Sequence, residues 1–142
     1  MNFTLIIIVF YKKVCYTINV GGNIMESNDK VIKNKILKEY VEGLFKILGK
    51  HLKQVILYGS YVRNEQNKND EVSDIDIMIL VDLPEKKIKE IEKIVTDYSY
   101  DLDLKYNILL SPFLENIDNY NSRIKYMKFY KNIEKEGVLL NV

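Results

Sequence analysis

The stretch that decides the fold runs from Tyr58 to Leu80, YGSYVRNEQNKNDEVSDIDIMIL. It opens on Gly59-Ser60 and closes on Asp74-Ile75-Asp76, two carboxylates at the head of a run of Ile, Met and Leu. Such a run reads as a buried strand. A carboxylate is costly to bury unless it is paired, hydrogen-bonded or bound to a metal. Strand side chains alternate faces, so Asp74 and Asp76 point the same way, side by side. Adjacent like charges raise each other's pKa, and a divalent cation removes that conflict. Hard oxygen ligands without His or Cys suit Mg2+ or Mn2+. Mg2+ on one or two carboxylates takes its remaining ligands from water and substrate phosphates. The head of the stretch offers a place for those phosphates. Gly59 lets the backbone approach a ligand closely, Ser60 brings a hydroxyl and an N–H, and Arg63 adds a permanent charge. A helical turn starting at Ser60 would aim its free N–H groups at an anion. Phosphates at one end and a metal at the other is the layout for nucleotidyl transfer.

Outward from this stretch the pattern is α-β-loop-β-α-β-α. Ser27 or Asn28 is a suitable N-cap, and Val31, Ile32, Ile36, Tyr40, Val41, Leu44, Phe45 and Leu48 recur at helical spacing until Gly49. Val55–Tyr58 is a short apolar strand. Arg63–Ser73 is polar and reads as a loop, and Asp74–Val81 is the second strand. Pro84 suits the opening of a helix whose apolar face is Ile88, Ile91, Ile94 and Val95. Leu104–Ser111 reads as a third strand stopped by Pro112. Asn116–Glu136 reads as mostly helical, with Ile124, Met127, Tyr130 and Ile133 on one stripe and Gly137 as C-cap. The fold class expected is a small mixed α/β (α+β) sheet with helices packed on it.

The whole chain sets bounds. Its 142 residues make one domain, 47% hydrophobic and 29% charged, enough for a core without disulfides or structural metal. Twenty-one basic against 20 acidic residues give no electrostatic reason to expect a long nucleic-acid tract as partner. A single Cys, Cys15, excludes an internal disulfide and a Cys-rich zinc site. The single His, His51, ends a helical pattern and reads as a surface or capping residue, which argues against Ser-His-Asp or Cys-His chemistry. The opening segment differs from the rest. Its apolar stretch Leu5–Tyr11 is too short to span a bilayer, and Lys12 and Lys13 follow it where a signal peptide would put charge first. Gly21-Gly22 must be encoded GGNGGN, which resembles a ribosome-binding site two codons before Met25. Residues 1–24 are therefore expected to be a translated leader or disordered segment, with the domain at 25–142; the alternative for Leu5–Phe10 is an extra β-strand. With the leader set aside there is no membrane or secretion signal, and a cytoplasmic location is expected.

The residues GSYVRN…SDIDIMIL resemble the signature of the DNA-polymerase-β-like nucleotidyltransferase superfamily. The size from Met25 and the ending FYKNIEKEGVLL resemble its smallest members, the minimal nucleotidyltransferases. The resemblance covers nearly everything after about residue 30. It implies that Gly59 and Ser60 contact the phosphates of ATP or another nucleoside triphosphate, beside the charge that Arg63 brings. It further implies that Asp74 and Asp76 are catalytic and hold Mg2+ or Mn2+. Two departures stand out. Thirteen residues separate Ser60 from Asp74, more than is usual in the family, and the excess falls in the polar loop, where insertion is tolerated. The family also has a third carboxylate early in a later strand. The best register puts Asn107 there, and Asn cannot accept a proton at neutral pH. Asp103, four residues earlier and on the same face, could substitute with a shifted register.

Minimal nucleotidyltransferases are commonly paired with a small helical HEPN-type ribonuclease toxin, and some resemble antitoxins that transfer AMP to a tyrosine of that toxin. The resemblance therefore implies a toxin–antitoxin enzyme whose acceptor pocket comes from a partner. The alternative is a weak or inactive module of the same fold that neutralises its partner by contact, with Asn107 as its support. A small-molecule, aminoglycoside-type enzyme is a weaker expectation, because little chain remains for an acceptor-binding domain. Size and near-neutral charge exclude template-directed polymerisation.

Overall fold

A computed structural model describes residues 5–11, 14–20, 28–63 and 74–140. The expected cap Ser27 and most of the polar loop, residues 64–73, lie outside the described residues. The chain divides into two units, Met1–Ile32 and Lys33–Val142. In the first, β1 (Leu5–Tyr11) and β2 (Val14–Val20) pair antiparallel, from Leu5 opposite Val20 to Tyr11 opposite Val14. The helix α1 (Asn28–Leu48) begins in this unit and runs on into the second.

The second unit is built on a four-stranded mixed sheet. After α1, a 3-10 turn at Gly49–His51 leads into β3 (Leu52–Tyr58) and the single turn α2 (Ser60–Arg63). Then come β4 (Asp74–Val81), α3 (Glu85–Tyr106), β5 (Leu109–Asn116), α4 (Ile117–Arg123), α5 (Lys128–Glu136) and β6 (Val138–Leu140). The strand order is β5-β4-β3-β6. β4 runs parallel to β5 and antiparallel to β3, and β6 pairs antiparallel along the far side of β3.

β4 explains the layers. Ile77, Met78, Ile79, Leu80 and Val81 are completely buried, so both faces of this strand are covered. Ile75, Ile77, Ile79 and Val81 share one face with Val55 and Leu57; Tyr40, Leu44 and Leu48 of α1 and Ile88, Val95 and Leu102 of α3 pack there. Met78 and Leu80 share the other face with Ile56, Tyr120 of α4, and Tyr130 and Ile133 of α5. Each such side chain contributes roughly 1.5–3 kcal/mol on burial. Two polar networks sit in these layers. Ser99 Oγ donates to the Val95 carbonyl at 2.8 Å, which leaves the Tyr40 hydroxyl, also 2.8 Å away, to donate to Ser99. On the opposite face the buried Glu115 carboxylate accepts from the Arg123 guanidinium and from the Tyr130 hydroxyl at 2.9 Å, while Arg123 also donates to Tyr130 at 2.8 Å. This triad ties α4 and α5 to the end of β5.

Three expectations need correction. The segment expected as a strand from Leu104 is the last turn of α3, and the strand occupies Leu109–Asn116 instead. The alternation in DLDLKY suggests a strand, but Leu102 is buried while Leu104 is 68% exposed, as on one side of a helix. Pro112, expected to stop the strand, lies inside it opposite Ile77. β5 is an edge strand, where a missing N–H is tolerated. The expected helix over Asn116–Glu136 is two helices, α4 and α5, with a turn between them. Asn116 does open it: its side chain accepts from the N–H groups of Asp118 at 2.9 Å and Asn119 at 3.1 Å. β6 was not expected. Gly137 leaves α5 in an extended conformation, and a Cβ there would lie 2.5 Å from both the Ile133 carbonyl and Ile56 Cγ2. Only glycine lets the chain turn back so close to β3.

Among the described residues, the buried core runs from Ile36 to Ile133. A chain starting at Met25 should therefore melt cooperatively in a circular-dichroism scan, within a few degrees of the full chain. A broad, non-cooperative melt would show that residues 1–24 are needed for the core.

Candidate active site

The strand that is buried on both faces carries its two carboxylates at one end. Asp74 and Asp76 alternate with Ile75 and so fall on the same face as Met78 and Leu80. α4 and α5 cover that face further along. Where their cover ends, a cleft of about 380 Å³ opens between the ends of β3 and β4 and one side of α5. Tyr58, Gly59, Ser60, Arg63, Asp76, Phe129, Asn132, Ile133 and Glu136 line it. The four α5 residues are spaced 129, 132, 133 and 136, a single helical stripe.

Gly59 is required twice over. Its φ is +79°, a left-handed conformation that side-chain-bearing residues rarely adopt. A Cβ at this position would also collide with Asp76 Oδ2. The backbone here closes directly against the carboxylate. Its carbonyl accepts from the N–H groups of Val62 at 3.2 Å and Arg63 at 3.3 Å, which winds Ser60–Arg63 into α2. Arg63 Nη1 reaches Glu136 Oε2 at 3.4 Å across the cleft. Burial holds the Asp76 carboxyl above its ordinary pKa; the neighbouring Asp74 charge adds to this and Arg63 opposes it. Tyr58, opposite Asp76 in the ladder, is pushed up to about 12, by burial first and then by the Asp76 charge.

Gly59, Ser60, Arg63 and Asp76 thus meet in one cleft, with Asp74 on the same face of β4. Asn107 and Asp103 are elsewhere. Both belong to the end of α3 rather than to a strand, because the helix runs on to Tyr106. Asn107 is its left-handed C-cap, with φ 51°, donating its N–H to the Asp103 carbonyl. Asp103 Oδ1 accepts from the Leu110 N–H at 2.8 Å, and its charge is felt by Tyr40, on the opposite face of the sheet from Asp76. The residue that β5 places opposite Asp76 is Ser111. Among the described residues no cluster of three or more His, Cys, Asp or Glu is placed to hold a metal ion. The Asp74–Asp76 pair alone fits a hard cation that completes its shell from phosphates and water. His51 lies apart from the site, its Nδ1 2.6 Å from Asp82 Oδ1. Tyr58, Phe129, Asn132 and Glu136 were not anticipated. Tyr58 was recoverable, since it alternates with Leu57 onto the Asp76 face. The α5 stripe lies in the ending FYKNIEKEGVLL, which pointed to the family but not to a place in the site; the turn between α4 and α5 puts it there.

The chain belongs to the family described as the nucleotidyltransferase domain, whose model matches residues 34–140. It is a nucleotidyltransferase. It is similar to two Methanocaldococcus jannaschii proteins that both bear the name "putative protein adenylyltransferase". One is 41% identical over 106 residues, covering 73% of this chain and 94% of the relative. The other is 30% identical over 114 residues, covering 76% and 97%. No solved structure gives a significant match. Among the described residues no helix is long and apolar enough to cross a membrane.

A raised Asp76 pKa has a definite sign for stability. The folded state holds this proton more tightly than the unfolded chain, so the protein without metal loses stability as pH rises from the ordinary carboxylate range through the folded pKa. Asp76→Asn should remove that part of the pH dependence and, without metal, melt no lower than wild type at neutral pH. A clearly lower melting temperature would mean that the charge at Asp76 stabilises the fold.

Proposed function

We propose that this protein transfers AMP from ATP to a hydroxyl group of a partner protein with Mg2+ or Mn2+ as cofactor, and that it is the antitoxin of a pair whose toxin is a small helical HEPN-type protein. The observation that carries the transfer is the closure of Gly59 against Asp76, in a cleft that also holds Ser60 and Arg63. The names of the two relatives support a protein acceptor and an adenylyl group. The antitoxin role rests on the resemblance to minimal nucleotidyltransferases. The second unit is little more than a sheet and its covering helices, so the acceptor surface is expected from the partner.

Asp74 and Asp76 would hold the cation, which draws charge from the triphosphate and the leaving pyrophosphate. Ser60 and the backbone at Gly59 receive phosphate oxygens, and Arg63 exchanges Glu136 for the polyphosphate charge. The acceptor oxygen attacks the α-phosphorus and forms a new P–O bond. The bond from that phosphorus to the bridging oxygen breaks, pyrophosphate leaves with the electron pair, and the acceptor's proton passes to solvent or to a base.

A second reading is favoured by one observation: β5 offers Ser111 beside Asp76, while Asn107 caps α3 and Asp103 accepts from the Leu110 N–H. A fold with two carboxylates can bind nucleotide and partner with slow or no chemistry, and neutralise the partner by contact. Label transfer separates the readings. The protein is mixed with Mg2+, α-labelled ATP and the small helical protein encoded beside it or co-purifying with it, alongside Asp76→Ala. Transfer of label to the partner, reduced at least about 100-fold in the variant, is the expected result. A tight complex without label would favour the contact reading.

A further inference from the structure

We infer that the exposed ring of Phe129, with Asn132 beside it, is a base platform that makes this a purine-selective site. The inference rests on the nucleotidyl-transfer reading and names which part of the nucleotide α5 receives. Phe129 and Asn132 lie on the α5 stripe that walls the cleft opposite Gly59 and Asp76. Phe129 is 46% exposed, although its neighbours hold it firmly. Its ring stands perpendicular to Tyr58 at 5.8 Å between centroids and to Tyr130 at 5.2 Å. Tyr130 is itself anchored by Arg123 and Glu115. An aromatic ring braced on two sides and still open to a polar cleft loses little conformational freedom when a flat ligand stacks on it.

The spacing along α5 suits a nucleotide. Glu136, at the Arg63 end, and Phe129 are seven residues apart, about 10 Å along the helix. That is comparable to the reach of a nucleoside from its phosphates to its base. With phosphates at Ser60 and Arg63, the base lies toward Phe129. Stacking on an aromatic side chain tolerates any base, and the larger purine ring gains more from it. The Asn132 amide carries a donor and an acceptor side by side, the pair that can bind a purine edge in two places.

Calorimetric titration tests this with Mg2+ present and four ligands: ATP, GTP, CTP and inorganic tripolyphosphate. Wild type should bind ATP and GTP more tightly than CTP. Phe129→Ala should weaken ATP and GTP about tenfold or more, erase most of the preference over CTP, and leave tripolyphosphate within about twofold. Phe129→Tyr should keep the purine preference. The tripolyphosphate arm also reports folding, because it needs only the Gly59, Ser60, Arg63 and carboxylate end. Unchanged ATP affinity in Phe129→Ala, or an equal loss for ATP and tripolyphosphate, would overturn the platform while leaving the nucleotidyl-transfer reading in place. A wild type that binds neither ATP nor tripolyphosphate would overturn both.

Discussion

A Cβ at residue 59 would occupy space that the Asp76 carboxylate fills, and the site depends on that closeness. A backbone turn in left-handed conformation is pressed against a carboxylate at the end of a strand buried on both faces. That carboxylate is half-buried. Its charge is disfavoured by burial and by Asp74, and only partly relieved by Arg63. In isolation this is a poor way to stabilise a protein. It is a good way to leave a carboxylate pair poised for a cation that arrives with phosphates. The same closeness would set the peptide beside Ser60 within reach of phosphates that such a cation carried. Desolvation concentrates where the chemistry would take place.

The rest of the second unit serves this end. α1 and α3 pack on one face of the sheet. α4 and α5 seal the other face only in part, and their incomplete cover creates the cleft. The Glu115–Arg123–Tyr130 triad decides where that cover stops, since it fixes α5 to the far end of β5 through groups that are costly to separate once desolvated. Tyr130 then braces Phe129, and Ile133 enters the core beside Met78. β6 closes the sheet beyond β3, so the end of the α5 stripe stays close to Arg63.

How much of this could be read from sequence follows the local strength of the signal. Gly59, Ser60, Arg63, Asp74 and Asp76 were legible because they sit in one short stretch, and the period of two in DIDIMIL sets both carboxylates on one face whatever surrounds them. The layers were legible in outline, since β4 is apolar throughout and α1 has a clear helical period. The region from Asp101 to Ser111 was not. There DLDLKYNILL alternates like a strand, yet the chain stays helical to Tyr106 and turns at Asn107 in a left-handed cap. That cap moves the strand downstream, puts Ser111 rather than a carboxylate or Asn107 opposite Asp76, and turns Asp103 into a partner for the Leu110 N–H. Register in a parallel pair is a tertiary property, set by how α3 lands on the sheet. The α5 wall was hidden for the same reason. Its residues become neighbours of Gly59 only once the turn at Ile124–Met127 has redirected the chain.

The central claim is that Asp74 and Asp76, closed over by Gly59, form a divalent-cation site completed by nucleotide phosphates. Mn2+ binding followed by electron paramagnetic resonance tests it most directly, in the presence and absence of a non-hydrolysable ATP analogue, for wild type and Asp76→Asn. The account predicts weak Mn2+ binding by wild type alone, at least tenfold tighter binding with the analogue, and loss of that gain in Asp76→Asn. Equal Mn2+ binding by wild type and Asp76→Asn, with the analogue present, would contradict it.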